Sequence, residues 1–305
     1  MPSRPPRRLS LAGVGALVVL NVVLVGLLLT RPTPPPVEEP DVSASSAARE
    51  GEAEETSAPR TKTSPEPLPT PTVRVEPARR LLADADERVA WRATVGDCES
   101  QGSLEHTTDG GETWEELPLE LAPIGRIRVL GVQRLFVIGG AGDCEPTYRA
   151  SASGGASWTT SDEYLVGSWY LHPDDGDAMS APVGEVDTPC GVAGLAGLDA
   201  AHAAVLCTDG SLRLTDDGGA GWRESAPPVE AAAVGVADEG YVLAGATDTC
   251  GDAVAVVLTD VTGAPVTAPS CLDPAAEAAG DLAVSARGTG VWLWAGDEVS
   301  VLDVA

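Results

Sequence analysis

From about residue 81 onward, short apolar runs alternate with clusters of Gly, Asp, Ser and Thr. Arg88–Ala93, Leu135–Gly140, Ala203–Cys207 and Tyr241–Gly245 are five or six residues long, a length that suits strands rather than helices. Further strands, Ser103–Thr107 and Ser211–Thr215, lead into glycine-rich turns. The last segment reads as three strands: Leu282–Ala286, Val291–Ala295 and Val299–Val304. Trp292 and Trp294 alternate on one of them and so share a face, which predicts core.

The first eighty residues follow another pattern. Leu11 to Leu29 is a 19-residue apolar run interrupted only by Asn21, enough for a helix to cross a bilayer. Arg4, Arg7 and Arg8 precede it, which places the N-terminus in the cytoplasm. A cleaved signal peptide is the competing reading, but Leu27–Pro32 has no small-x-small site. Residues 31–80 are rich in Pro, Glu and Ser, with Pro34–Pro36 and Pro65–Pro71 as extended-chain formers. The expected organisation is therefore a cytoplasmic stretch at 1–10, a transmembrane signal-anchor helix at 11–30, a disordered linker at 31–80 and an extracytoplasmic domain at 81–305.

Within that domain one pattern repeats. The first copy is Thr107, Asp109, Gly111, Thr113 and Trp114; the second is Ser151, Ser153, Gly155 and Trp158; the third is Thr215, Asp217, Gly219 and Trp222. A worn copy follows at Leu258–Gly263. The chemistry is that of a turn: Asp accepts hydrogen bonds from turn amides, Gly takes positive φ, and Trp plugs the joint between neighbouring sheets. The copies are 44, 64 and 43 residues apart, and the long interval reads as one period plus an insertion near 165–188.

This S/T-x-Asp-x-Gly-x-Thr-Trp pattern resembles the Asp-box, or BNR, repeat of bacterial sialidase-like propellers and of propellers related to photosystem II assembly factors. The resemblance covers residues 81–305. It implies an all-β fold, a β-propeller of about five four-stranded blades, with the boxes as structural turns away from the functional centre. Thr72–Val75 would supply the strand missing from the last blade.

Composition adds exclusions. The chain carries 46 acidic against 19 basic residues, a net charge of −27, and after residue 80 only nine arginines face 37 carboxylates. Nucleic acid is thereby excluded as a partner. The resemblance to sialidases implies an arginine triad, a Tyr–Glu pair and an Asp acid, with an early Arg-Ile-Pro. Arg126-Ile127-Arg128 lacks the proline, and Tyr148, Tyr164, Tyr170 and Tyr241 stand in no matching context, so no catalytic residue carries over. No G-x-S-x-G, H-E-x-x-H or P-loop string is present. His106, His172 and His202 are scattered, and no metal or other cofactor is expected.

All six cysteines fall in the domain, and an even count beyond a membrane implies disulfides. The strand positions favour Cys98–Cys144, Cys190–Cys207 and Cys250–Cys271, all opposite the box turns. Trp169 and Tyr170, near Asp174, Asp175 and Asp177 in the insertion, form a candidate ligand patch, with burial of Trp169 as the alternative. The expected protein is a single-pass, extracytoplasmic, non-catalytic interaction or assembly module that binds an envelope or membrane protein. The alternative is a carbohydrate-binding protein or glycoside hydrolase with a glycan partner.

Overall fold

A computed structural model of the chain describes residues 74–272 and 281–304. The expected cytoplasmic stretch, membrane helix and most of the linker lie outside the described residues, as do Thr72 and Val73. Among the described residues, no helix is long and apolar enough to cross a membrane.

The fold is a β-propeller of six blades, not five. Blade I holds β1 (Arg80–Asp84), β2 (Ala90–Thr94), β3 (Ser103–Thr107) and β4 (Glu115–Glu116). Blade II holds β5 (Ile124–Gly131), β6 (Arg134–Ala141), β7 (Glu145–Ser151) and β8 (Thr159–Thr160). Blade III has only β9 (Tyr170–Leu171), β10 (Ala178–Ala181) and β11 (Gly184–Asp187). Blade IV comprises β12 (Val192–Gly197), β13 (Ala203–Cys207), β14 (Leu212–Thr215) and β15 (Arg223–Ser225). Blade V comprises β16 (Glu230–Val236), β17 (Gly240–Ala246), β18 (Val254–Asp260) and β19 (Ser270–Leu272). Blade VI has β20 (Leu282–Arg287), β21 (Gly290–Ala295) and β22 (Glu298–Asp303). Neighbouring strands within each blade pair antiparallel. The innermost strands β1, β5, β9, β12, β16 and β20 meet in that order around the ring, and β20 returns to β1.

Six blades fit because they are economical. Where a fourth strand exists it is two or three residues long. Blade III is the segment that sequence periodicity reads as an insertion. It has no box: the turn at that position is Pro182–Val183, where Val183 N–H donates to Gly218 O of the blade IV box. That contact places the β10–β11 turn on the box face, whereas Pro173, in the loop after β9, lies 3.4 Å from Cys98 Sγ on the disulfide face. Strand β9 therefore runs opposite to the other five inner strands, and blade III lacks the strand that would ordinarily be its first.

Arginines fill the gap. From β5, Arg126 donates to Trp169 O (2.7 Å) and Gly197 O (3.1 Å), and Arg128 donates to Leu198 O (3.0 Å). These carbonyls on either side of the missing strand thereby gain partners.

Each seam between blades has its own apolar cluster, and the seam closing the ring is the richest in tryptophan. There Trp292 and Trp294 of blade VI pack on Leu82 and Ala90 of blade I. Arg80 lies 4.5 Å over the Trp294 ring, and Arg92 lies 4.3 Å from Trp114 and 5.0 Å from Trp294. Arg79 pairs with Asp281 at 2.8 Å. Among the described residues closure is by side-chain contacts, because β1 to β4 all belong to blade I. The expectation that Thr72–Val75 completes the last blade fails at Val75. Its N–H donates to Thr208 O of blade IV and its side chain is buried in the seam between blades IV and V.

The boxes lock each blade onto the one before it. In the first, Thr107 Oγ1 accepts from Gly111 N–H (3.0 Å), and Asp109 accepts from the Thr113 amide (3.0 Å) and hydroxyl (2.6 Å). The amides of Gly110, Gly154 and Gly218 each donate at 2.9 Å to the first hairpin turn of their own blade. The second glycine then faces the preceding blade: Gly111 meets Trp292, Gly155 meets Leu117 and Gly219 meets Trp169. The box residues Trp114, Trp158 and Trp222 are half-buried and pack in the seams as expected, against clusters that also hold the fully buried Trp292, Trp91 and Trp169. At Gly219, φ is +98°, and an added Cβ would come within 2.9 Å of Ala181 Cβ and 3.2 Å of the Trp169 ring. Gly219→Ala should lower stability by about 1–3 kcal/mol in denaturant unfolding. Gly176→Ala, with nothing within 4 Å, should leave it unchanged.

Candidate functional site

The inner strands enclose a channel cavity of about 230 Å³. Its two mouths differ. On the disulfide face the entering chain crosses from blade IV to blade I, held by Val75 N–H to Thr208 O and Ala78 N–H to Ala193 O, both 2.8 Å. Pro77 and Ala78 line the cavity at this strap.

At the box end the lining turns polar, with Asp84, Arg128, Asp238, Ser285 and Arg287. Asp84 is 4% exposed and accepts a short hydrogen bond from the Ser285 hydroxyl, across the closing seam. Burial pushes its carboxyl up to about 6, against the Ser285 hydrogen bond and the nearby Arg287 charge, which pull it down. Burial lowers Arg126 to about 9, helped by the like charge of Arg128, and lowers Arg128 as well. None of these arginines has a carboxylate within ion-pair distance among the described residues. They hold backbone carbonyls and sit in no acid–base or nucleophile arrangement.

The box carboxylates are occupied by their own turns. The Thr113 hydroxyl, then its amide, holds Asp109 far below the usual carboxylate range. The Gly221 amide and the Thr215 hydroxyl lower Asp217. In the second box Ser153 takes the Asp position and accepts from Ser157 N–H at 3.0 Å. Cys98–Cys144, Cys190–Cys207 and Cys250–Cys271 are bonded, on the face opposite the boxes.

The candidate patch is not assembled as a surface. Trp169 is 2% exposed, its Nε1–H donating to Asp199 O at 2.7 Å, and Tyr170 is also buried. Asp174, Asp175 and Asp177 are exposed on the loop after β9, at the disulfide end. The three histidines remain apart: His106 stacks on Trp91, His172 lies by Tyr170 and His202 pairs with Asp199 at 3.0 Å. Among the described residues no three His, Cys, Asp or Glu groups converge on a metal position.

A different surface stands out. Six large apolar side chains are exposed among the described residues, and four of them, Leu130, Val132, Val166 and Val183, belong to the box end of blades II and III. Leu130 and Val132 flank the β5–β6 turn, Val166 lies on the crossing that replaces the missing strand, and Val183 lies at the β10–β11 turn. Val166 is 87% exposed. In this sector the blade II box has Ser153 for Asp and blade III has no box. Sequence reasoning missed it because no hydrophobic period marks residues exposed in turns. The alternation of Arg126 and Arg128 was visible, but its purpose depends on a strand that is absent.

No protein-family profile matches the chain, and no curated protein does. Solved structures resemble it in fold. A structure described as YCF48 bound to D1 peptide is 19% identical, with a TM-score of 0.27 over 76% of this chain. The chain covers 64% of that protein's length. An Aleuria aurantia lectin in complex with Fucα1-6GlcNAc is 10% identical, with a TM-score of 0.44 over 77% of this chain and 97% of the lectin. A GH74 enzyme from Niastella koreensis is 14% identical, with a TM-score of 0.38 over 73% of this chain and 36% of the enzyme.

A buried carboxyl with a raised pKa stabilises the fold below its unfolded-state value near 4, and that contribution is lost as pH rises through about 6. Asp84→Asn, a neutral replacement at the same hydrogen bond, should therefore gain about 2 kcal/mol on the wild type between pH 4 and pH 8. Parallel urea titrations at the two pH values measure that difference.

Proposed function

We infer that the protein is a non-catalytic interaction module that a membrane anchor at residues 11–30 holds outside the cytoplasm. One observation carries this reading: the exposed apolar side chains Leu130, Val132, Val166 and Val183 at the box end of blades II and III, on a strongly acidic domain. Large apolar side chains left in water are costly, and several at one end of a domain fit a contact site. The chemistry elsewhere agrees. The box carboxylates, Arg126, Arg128 and Asp84 have structural partners, and none of them is poised as nucleophile, acid or base. The partner is an envelope or membrane protein.

The test is photo-crosslinking in the native envelope. A photoreactive residue at position 166 should give discrete protein adducts, and the same residue at position 176, on the disulfide face, should not. Val166→Ser with Leu130→Ser should weaken adducts formed from position 132 without changing thermal stability. Equal labelling from positions 166 and 176, or adducts indifferent to the serine substitutions, would reject the reading.

A further inference from the structure

Blade VI ends one strand early. Blades I, II, IV and V each carry a fourth strand of two or three residues, whereas blade VI stops at β22, which is six residues long. Among the described residues β22 pairs with β21 alone. The phase of that ladder is fixed at both ends. Ala295 faces Glu298 across the two-residue turn at 296–297, and Val304 N–H donates to Thr289 O at 2.8 Å. Glu298, Ser300 and Leu302 therefore bond to β21, while Val299, Val301 and Asp303 turn their N–H and C=O groups outward. No other described residue bonds to those outward groups. Such a row is a template for another strand.

The edge is apolar on both faces and acidic at both ends. Val299 and Val301 are half-buried against the seam with blade I, and Leu302 is half-buried against the seam with blade V. A strand laid beside β22 would extend both apolar surfaces. Blade III also has three strands, but its outer strand β11 is four residues long and carries one apolar side chain, Val186. Asp297 and Glu298 stand at the turn end of β22 and Asp303 at the other, all exposed. None has a cation within ion-pair distance among the described residues.

We propose that β22 receives a short extended segment of a partner protein, cationic at its two ends, as the fourth strand of blade VI. Backbone bonds to Val299, Val301 and Asp303 supply the ladder, and Lys or Arg at the segment's ends answers the acids of β22. A second copy of this chain is disfavoured, because each copy carries a net charge of −27. An acidic segment meets like charge at both ends. This edge belongs to blade VI, apart from the sector at blades II and III, and does not rest on the reading above.

The test uses the full-length chain and the peptide acetyl-Lys-Val-Thr-Val-Thr-Lys-amide. One control peptide has Glu for both Lys, and another is N-methylated at alternate amides. Hydrogen exchange at Val299, Val301 and Asp303 should be fast in the free protein and slow about tenfold or more with the Lys peptide, but not with either control. Glu298→Lys with Asp303→Lys should weaken the Lys peptide about tenfold, read by fluorescence anisotropy, and let the Glu peptide bind. The thermal midpoint of the double variant should stay unchanged. Exchange unmoved by the Lys peptide overturns the proposal, as does an equal effect of the N-methylated peptide. Slow exchange already present in the dilute free chain would mean that its own residues cover the edge. Protection that grows with protein concentration would mean a second copy, and either result overturns the proposal. None of these outcomes bears on crosslinking from position 166.

Discussion

A ring of sheets has to return to its first blade, and everything else in this molecule depends on how that return is made. Among the described residues no strand is exchanged between the ends of the ring. Blade I is built from consecutive strands, and blade VI reaches it only through side chains: Trp292 and Trp294, Arg80 and Arg92 over the indoles, Arg79 on Asp281, and Ser285 on Asp84. These contacts join residues some 200 positions apart, so they carry the loop-closure entropy of the whole domain. The aromatic and cationic groups concentrated there fit that demand, because each tryptophan buries a large area and each guanidinium adds a cation–π contact.

Three seams, the closing one included, share a second device. A box turn satisfies its own amides, donates to the first hairpin of its blade, and presents a glycine against the preceding blade. Two boxes receive Trp292 and Trp169 in this way, and another receives Leu117. Blade III is the exception that shows the rule. Without a box or a first strand it offers only short strands, and Arg126 and Arg128 reach across to the carbonyls left open. The same economy leaves Val166 exposed on the crossing.

Much of this was legible in the sequence because it is local. The spacing of Asp, Gly and Trp in the boxes reflects turn chemistry, and the loop positions of the cysteines are consistent with the three bonds found. The blade count was not legible. Strands of two to four residues, such as Tyr170–Leu171, carry too little alternation to be recognised, and a blade without a box has no marker. Burial of Trp169 depends on Gly197 and Gly219 of the next blade, which no local pattern around residue 169 reports.

The central claim is that contacts at the seam between blades VI and I hold a single closed ring. Hydrogen exchange of the native protein tests it most directly. The account predicts that β1, β20 and β21 amides are as protected as those of β13 and β17, and that Arg92→Ala with Trp294→Ala lowers protection around the whole ring. Fast exchange confined to β1, β20 and β21 in the unmodified protein, with the other blades still protected, would contradict it.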